Sequence, residues 1–257
     1  MSLAALDWRA VAERRTGHWP GNHIIYREHL DSTNTLAASL IPAQAPSGTV
    51  VVTDHQMAGR GRLGRRWIAS PGTALTFTMV LGPITPAWAI PMVCGLATGD
   101  ALSSAGVASA LKWPNDVLVG GKKCAGILIE ARNGDGVPWL LAGIGINVHD
   151  ADPALSDATY LDAHARHPIS REDLLVALLA ALERWYATIG ADPGAVREAW
   201  RDRLVTLGQL VRVQTPSGVL EGLAETISAE GALQVRDAAG TLHDLHAGDV
   251  TLAVPRS

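Results

Sequence analysis

The chain has 257 residues, 47% of them hydrophobic and 18% charged, with a formal net charge of −4 and two cysteines. This is the composition of a globular protein with one large domain, or a large one and a small one, and it excludes a disordered chain. It also excludes a disulfide framework and a generally basic nucleic-acid-binding surface, so any anion site has to be local.

Residues 3–15 pattern as a short amphipathic helix. Asp7, Arg9 and Glu13 interrupt its apolar positions, so it is not a signal peptide. No stretch approaches the ~18 apolar residues of a membrane span, and a cytoplasmic protein is the default expectation. HIIYREHL (23–30) reads as a strand, DSTN (31–34) as a helix start before TLAASL, and GTVVVTDHQ (48–56) as a buried strand. GRGRLGRRW (59–67) is too polar and glycine-rich for a regular element. In TALTFTMVL (73–81), Leu75, Phe77, Met79 and Leu81 face one way and Thr76 and Thr78 the other. A helix is predicted from about Pro86 to Ser104, followed by extended pieces at 109–114 and 116–120. A Gly120-Gly121 turn and buried strands at 122–131 and 139–148 come next. A strong amphipathic helix spans 170–190, with Ser170 as cap, Leu174, Leu175, Leu178, Leu182 and Trp185 on one face, and Gly190 at its end. Pro193 starts a second helix that includes Val196, Trp200 and Leu204. From about Gly208 short strands separated by PSG, AEG, AAG and AG suggest a small β-barrel or sandwich, too small to stand alone and expected to pack on the rest.

Five segments can carry chemistry. Gly59, Gly61 and Gly64 satisfy the formal dinucleotide-binding pattern G-x-G-x-x-G, but a strand follows instead of a helix, and no Asp or Glu lies between Asp54 and Asp100. The loop instead holds Arg60, Arg62, Arg65 and Arg66. Glycines admit close approach to a ligand and arginines match phosphate or carboxylate oxygens, which describes a mobile anion-binding loop; a solvated basic loop is the plainer reading. In KWPNDV (112–117), Lys112, Asn115 and Asp116 flank a kink at Pro114. They are suited to an anion, an amine or a metal, or else form a turn bonded to its own backbone. Lys123 and Cys124 alternate, so the lysine either snorkels to water or points into a cleft opposite the thiol. In GIGINV (143–148) the glycines mark a close approach, and Asn147 needs partners once buried. In DSTN, either Asp31 or Ser32 simply caps the next helix, or Ser32, Thr33 and Asn34 bind a polar ligand at its N-terminus. There is no P-loop, zinc spacing or nucleophile elbow, and His164 and His167 read as surface residues.

Taken in order, DSTNT, DHQMAGRGRLGRRW, KWPNDV, GKKCAGILIE and GIGINV resemble the catalytic domain of bacterial biotin–protein ligases over about residues 23–190. EGLAETISAEGAL is similar to that family's SH3-like barrel. The resemblance implies an α+β fold, with a central mixed sheet carrying helices on one side and a small SH3-like β-barrel after it. The expected domains are 1–206 and 207–257. It implies biotin held by Ser32, Thr33, Asn34, Gln56, Arg60, Gly61, Arg62, Lys123 and Gly126. Nucleotide would be held by Arg60, Arg62, Trp67, Lys112, Asn115, Asp116 and Asn147, with Arg62, Lys123 and Asp116 catalytic. ATP and Mg²⁺ would serve as cofactors, with no metal ligands assigned, and the biotinyl group would pass to a lysine of a biotin carboxyl carrier protein, such as an acetyl-CoA carboxylase subunit. Larger members carry an N-terminal DNA-binding module of roughly 60 residues. The first matching strand here starts near His23, so neither nucleic acid nor membrane is expected as a partner. A homodimer stays open. One departure is Ala253, where some relatives have an arginine that helps with nucleotide; Arg256 lies nearby. The rival readings are a lipoate–protein ligase, a non-catalytic biotin sensor and a generic anion-binding domain.

Overall fold

The computed structural model describes residues 3–83, 86–134, 136–150, 152, 156–215 and 218–252. Ala253 and Arg256 therefore lie outside the described residues. The first helix, α1 (Trp8–Arg14), starts later than the apolar pattern suggests because the Asp7 carboxylate accepts from the Arg9 and Ala10 amides and caps it there. Then follow β1 (Ile24–Leu30), α2 (Thr33–Leu40), β2 (Val50–Gln56), β3 (Ala74–Leu81) and α3 (Ile90–Ser104), the last preceded by a short 3-10 turn. After them come β4 (Ala110–Lys112), β5 (Asp116–Val119), β6 (Lys122–Gly134), β7 (Val137–Asn147), α4 (Arg171–Ala191) and α5 (Pro193–Arg201). The seven strands form one sheet in the order β1-β2-β3-β7-β6-β5-β4. β1 and β2 are parallel and every other pair is antiparallel, so the sheet is mixed.

Period-two alternation gives this sheet two different faces. Val50, Val52, Leu75, Phe77, Met79, Leu81, Ala142, Ile144 and Ile146 belong to the large core shared with α3 and α4. On the other face, Val51, Val80 and Leu141 form a smaller cluster with Ala37 and Ile41 of α2 and its flank. Helices thus cover both faces, not one. The physical reason is that Val50, Val51 and Val52 are consecutive and apolar, so both faces of β2 need sealing.

α4 is capped by Ser170, whose hydroxyl accepts from the Asp173 amide. Among the described residues it is the one helix long and apolar enough to cross a membrane by length and composition, a match that reading the chain for apolar runs passes over. Here Leu174, Leu175, Leu178 and Leu182 sit in the protein core. The helix runs past Gly190 to Ala191; Asp192 ends it and caps α5 through the Ala195 amide. Leu204 is buried beyond the end of α5. A buried ion pair ties α4 to β2: Arg171 donates to Asp54 at 2.6 Å and also to the Ala4 carbonyl at 2.7 Å. Removing either partner would leave an uncompensated buried charge.

β8 (Leu210–Thr215), β9 (Gly218–Ile227), β10 (Leu233–Arg236), β11 (Leu242–Leu245) and β12 (Asp249–Leu252) form a second, antiparallel sheet in the order β11-β10-β9-β8-β12. Its apolar face, including Val211, Val213, Leu233, Val235 and Val250, joins the main core. Trp113 rivets the two sheets together. Its amide donates to Thr206 Oγ1 at 3.0 Å and its indole N–H to the Gly231 carbonyl at 3.1 Å.

Candidate functional site

The face of the large sheet that carries α2 is only partly covered by it, and the register says what lies beside the helix. Thr76 pairs with Gly145, Gly145 with Gly126, Gly126 with Asp116, and Asp116 with Lys112. These residues make a row across five strands. The next row holds Thr78, Gly143 and Leu128. A floor of threonines and glycines leaves room for something to lie on the sheet. It is the floor of a cavity of about 400 Å³.

Two side chains lie on that floor. A Cβ added at Gly145 would come 2.6 Å from the Trp67 ring, and one at Gly126 would meet both the Lys123 side chain at 3.2 Å and Trp67 at 3.4 Å. Lys123 bends over Gly126 and pairs with Asp116 at 2.6 Å. Its alternation with Cys124 holds as expected: the lysine reaches the cavity and the thiol is buried in the core. Burial pushes both Cys94 and Cys124 up to about 12. They stay protonated at neutral pH and are not nucleophiles.

The end of the cavity at α2 is polar and uncharged. Ser32 occupies the N-cap position but makes no capping bond with its side chain. The helix start is held by Gln56, whose Oε1 accepts from the Thr33 amide at 2.8 Å and the Thr33 hydroxyl at 3.1 Å. Thr78 donates to Asn34 Oδ1, and Asn34 lies over Gly143. The capping explanation for this segment is thereby replaced by a hydrogen-bonded lining of Ser32, Thr33, Asn34 and Gln56.

The roof is the arginine loop. It folds as a small hairpin, with Gly61 donating to the Arg65 carbonyl at 2.8 Å and Trp67 to the Gly59 carbonyl at 3.0 Å. Gly59 is required there, since a Cβ would fall 2.4 Å from the Trp67 carbonyl oxygen. Each arginine has a tether. Arg60 donates to Glu130 at 2.8 Å, Arg62 to Asn115 Oδ1 at 2.9 Å, Arg65 to Asp249 of β12, and Arg66 to the Met57 carbonyl at 3.3 Å. Burial pulls the Arg62 guanidinium below its ordinary value, while Asp116 and Asp249 pull it back up. An arginine so placed stays charged at neutral pH with reduced hydration, which strengthens its hold on an anion.

Most residues singled out in the sequence line this one cavity: Ser32, Thr33, Asn34, Gln56, Arg60, Gly61, Arg62, Trp67, Asn115, Asp116, Lys123, Gly126 and Asn147. Lys112 does not line it. It sits in the edge strand β4, one place beyond Asp116 in the same row. Asn115 donates not to its own turn but across to the Ile127 carbonyl of β6 at 2.8 Å, and Asn147 donates to the Thr159 carbonyl at 3.0 Å. Both amides thus have structural partners and also line the cavity.

Sequence reasoning missed other parts of the wall. Thr76 and the glycines at 143 and 145, read from sequence as an outward face and a close approach, prove to share one floor, which only strand pairing decides. Residues 156–158 form one side, held against Lys123 by backbone bonds of 2.8 Å from Lys123 to Asp157 and from Thr159 to Lys123. Gly248 and Asp249 arrive from the second sheet, and no local signal marks them.

A family model described as the biotin/lipoate A/B protein ligase family matches residues 26–147, and one described as the biotin protein ligase C terminal domain matches residues 206–252. The chain is 38% identical to the biotin--[acetyl-CoA-carboxylase] ligase of Paracoccus denitrificans, in an alignment covering 82% of this chain and 92% of that protein. It is 35% identical to the ligase of the same name from Mycobacterium tuberculosis, with 95% of each chain covered. Its fold is similar to the structure of biotin protein ligase from Aquifex aeolicus in complex with biotin and ATP, with a TM-score of 0.79, 27% identity, and coverage of 90% of this chain and 99% of that one.

Proposed function

The chain belongs to the biotin–protein ligases, and from that premise we propose how its residues divide the work. It activates biotin with ATP to biotinyl-5′-AMP and transfers the biotinyl group to a lysine of an acceptor protein. The observation that carries the division of labour is the polarity of the cavity. One end is uncharged and rich in hydrogen-bonding groups, and the other is ringed by Arg60, Arg62 and Lys123. Biotin has a neutral ureido ring at one end and a carboxylate at the other, which fits this polarity. Ser32, Thr33, Asn34 and Gln56 take the ring. A lipoyl ring would leave those groups unpaired, which disfavours the lipoate reading.

In the first step a biotin carboxylate oxygen attacks the α-phosphorus of ATP, and the bond to pyrophosphate breaks. Both reactants are anions, so the task of the protein is to hold them together against their repulsion. Arg62 and Lys123 sit where they offset charge on the carboxylate and α-phosphate. Trp67 and the Gly61 hairpin close over the mixed anhydride and keep water from it. Mg²⁺, when bound, shields the leaving phosphates. The carboxylates that line the cavity, Asp116, Asp152, Asp157 and Asp249, are the groups that would help hold the ion. In the second step the acceptor amine attacks the acyl carbon, AMP leaves, and the nitrogen sheds a proton. Asp116, paired with Lys123, orients that amine and is placed to take the proton.

Lys112, outside the cavity wall, would act on the nucleotide only at the rim. The acceptor is a biotin carboxyl carrier domain, as in acetyl-CoA carboxylase, and the work is done in the cytoplasm. We assign residues 1–206 to the catalytic unit and 207–257 to the small β unit that closes one side of the cavity through Asp249.

The test is a mass measurement on a carrier domain after incubation with the protein, ATP, Mg²⁺ and either biotin or lipoate. A shift with biotin alone is expected. A shift with lipoate would keep the adenylation chemistry and overturn the substrate. Tight biotin binding with no shift would mean a sensor.

A further inference from the structure

Glu130 lies outside the cavity wall, yet it touches both of the structures that form the cavity. It stands on β6 on the floor face, two positions past Leu128 and four past Gly126. Its carboxylate is 18% exposed. Oε2 accepts from Asn34 Nδ2 at 2.7 Å and from Arg60 Nη2 at 2.8 Å; Oε1 accepts from Arg132 at 3.1 Å. Asn34 is buried at the uncharged end of the cavity, and Arg60 opens the hairpin that roofs the charged end. One oxygen atom therefore joins the two ends.

A carboxylate can only accept hydrogen bonds. Asn34 must then turn its NH₂ toward Glu130 and its carbonyl oxygen toward the Thr78 hydroxyl, which commits the Thr78 proton to Asn34. The same negative charge holds Arg60 at the base of the loop. We propose that Glu130 is a positioning residue with two separable effects: as an acceptor it orients Asn34 for the ring of the substrate, and as a charge it holds the arginine loop closed over the adenylate. This rests on the ligase reading above.

The two effects can be pulled apart. In Glu130→Gln one acceptor oxygen can stay where Oε2 is, and the new NH₂ then faces Arg132, also a donor, whose partly exposed side chain swings away to water. Asn34 keeps its orientation and Arg60 loses its counter-charge. Glu130→Ala removes both. Biotin affinity is to be measured by calorimetry, and retention of the adenylate by filter binding of preformed, labelled biotinyl-5′-AMP after dilution, alongside the melting temperature. Loss of a charge-assisted bond at the loop base should shorten retention by about tenfold in Glu130→Gln while biotin affinity stays near wild type. Glu130→Ala should lose both. Arg132→Ala, which removes only the third partner, should change neither. Adding Glu130→Gln to Arg60→Ala should cost no further retention, because the pair acts as a unit. Wild-type retention and affinity in Glu130→Gln and Glu130→Ala would overturn the proposal. So would equal loss of both in Glu130→Gln with a lowered melting temperature, which would make the residue merely structural. A wild-type protein that forms no adenylate would instead overturn the ligase reading.

Discussion

The two faces of the seven-stranded sheet are built from the same strands and do opposite things. On one, Leu75, Phe77, Met79, Ile144 and Ile146 are sealed under α3 and α4, with the paired Arg171 and Asp54 as a buried polar contact. On the other, one residue out of step, lie Thr76, Thr78, Gly143, Gly145 and Gly126, and the space above them is taken by Trp67, Lys123 and the arginine hairpin. Alternation lets one strand hold a rigid core and a ligand floor at once. The comparison teaches that the floor is precise because its back is packed.

Changes on the roof and floor should therefore strike chemistry, and changes on the back should strike stability. The largest effect is expected of Arg62→Ala. It removes a half-buried cation whose partners are Asn115 and, at longer range, Asp116 and Asp249. Adenylate formation in single turnover should fall by about 10²–10³-fold, the scale for losing one aligned donor to developing charge, or the adenylate should escape early. Unchanged rate and retention would remove the loop from the mechanism. Gly145→Val comes next. The new side chain would displace the Trp67 ring from 2.6 Å away, so adenylate formation should fall by about a hundredfold, as for a misplacement of about 1 Å, with a melting temperature close to wild type. Leu75→Ala is the counterpart from the other face. At 1% exposure its loss should cost about 2–5 kcal/mol in denaturant unfolding and leave the activity of the folded fraction intact. A Leu75→Ala enzyme that folds normally but turns over slowly would erase the distinction between the faces.

The same comparison explains what the sequence made legible. The strand pattern at 73–81 set Leu75, Phe77, Met79 and Leu81 against Thr76 and Thr78, and both faces are as expected. Lys123 against Cys124 was readable for the same reason. Alternation is a local property, so one dimension suffices for it. The missed features depend on register or on distant chain. That Gly126, Gly145 and Thr76 fall in one row is decided by strand pairing across residues far apart in sequence. Helix α2 on the second face follows from how β2, β3 and β7 come together. Lys112 looked equivalent to Asp116 because both flank Pro114, but the hairpin puts it one strand further out. Glu130 had the right parity to face the floor, yet its partners Asn34 and Arg60 are visible only in the fold.

The smallest effect should come from the contact between the roof and the second sheet. Asp249 stands at the start of β12, pairs with Arg65 of the hairpin and lines the cavity. The pairing suggests a latch, but the two side chains are 67% and 37% exposed. An exposed pair of this kind contributes about 0–1 kcal/mol, because water screens it and two long side chains must be ordered to form it. Asp249→Ala should therefore speed loss of the adenylate by no more than about fivefold, and the difference should shrink as salt is raised. Asp249 also acts on Arg62 at longer range, so its removal slightly weakens the restraint on that guanidinium's charge. If Asp249→Ala matched Arg62→Ala in severity, the second sheet would be part of the roof and not a support beside it. The contrast between a packed floor and a tethered roof would then have to be redrawn with β12 as part of the roof.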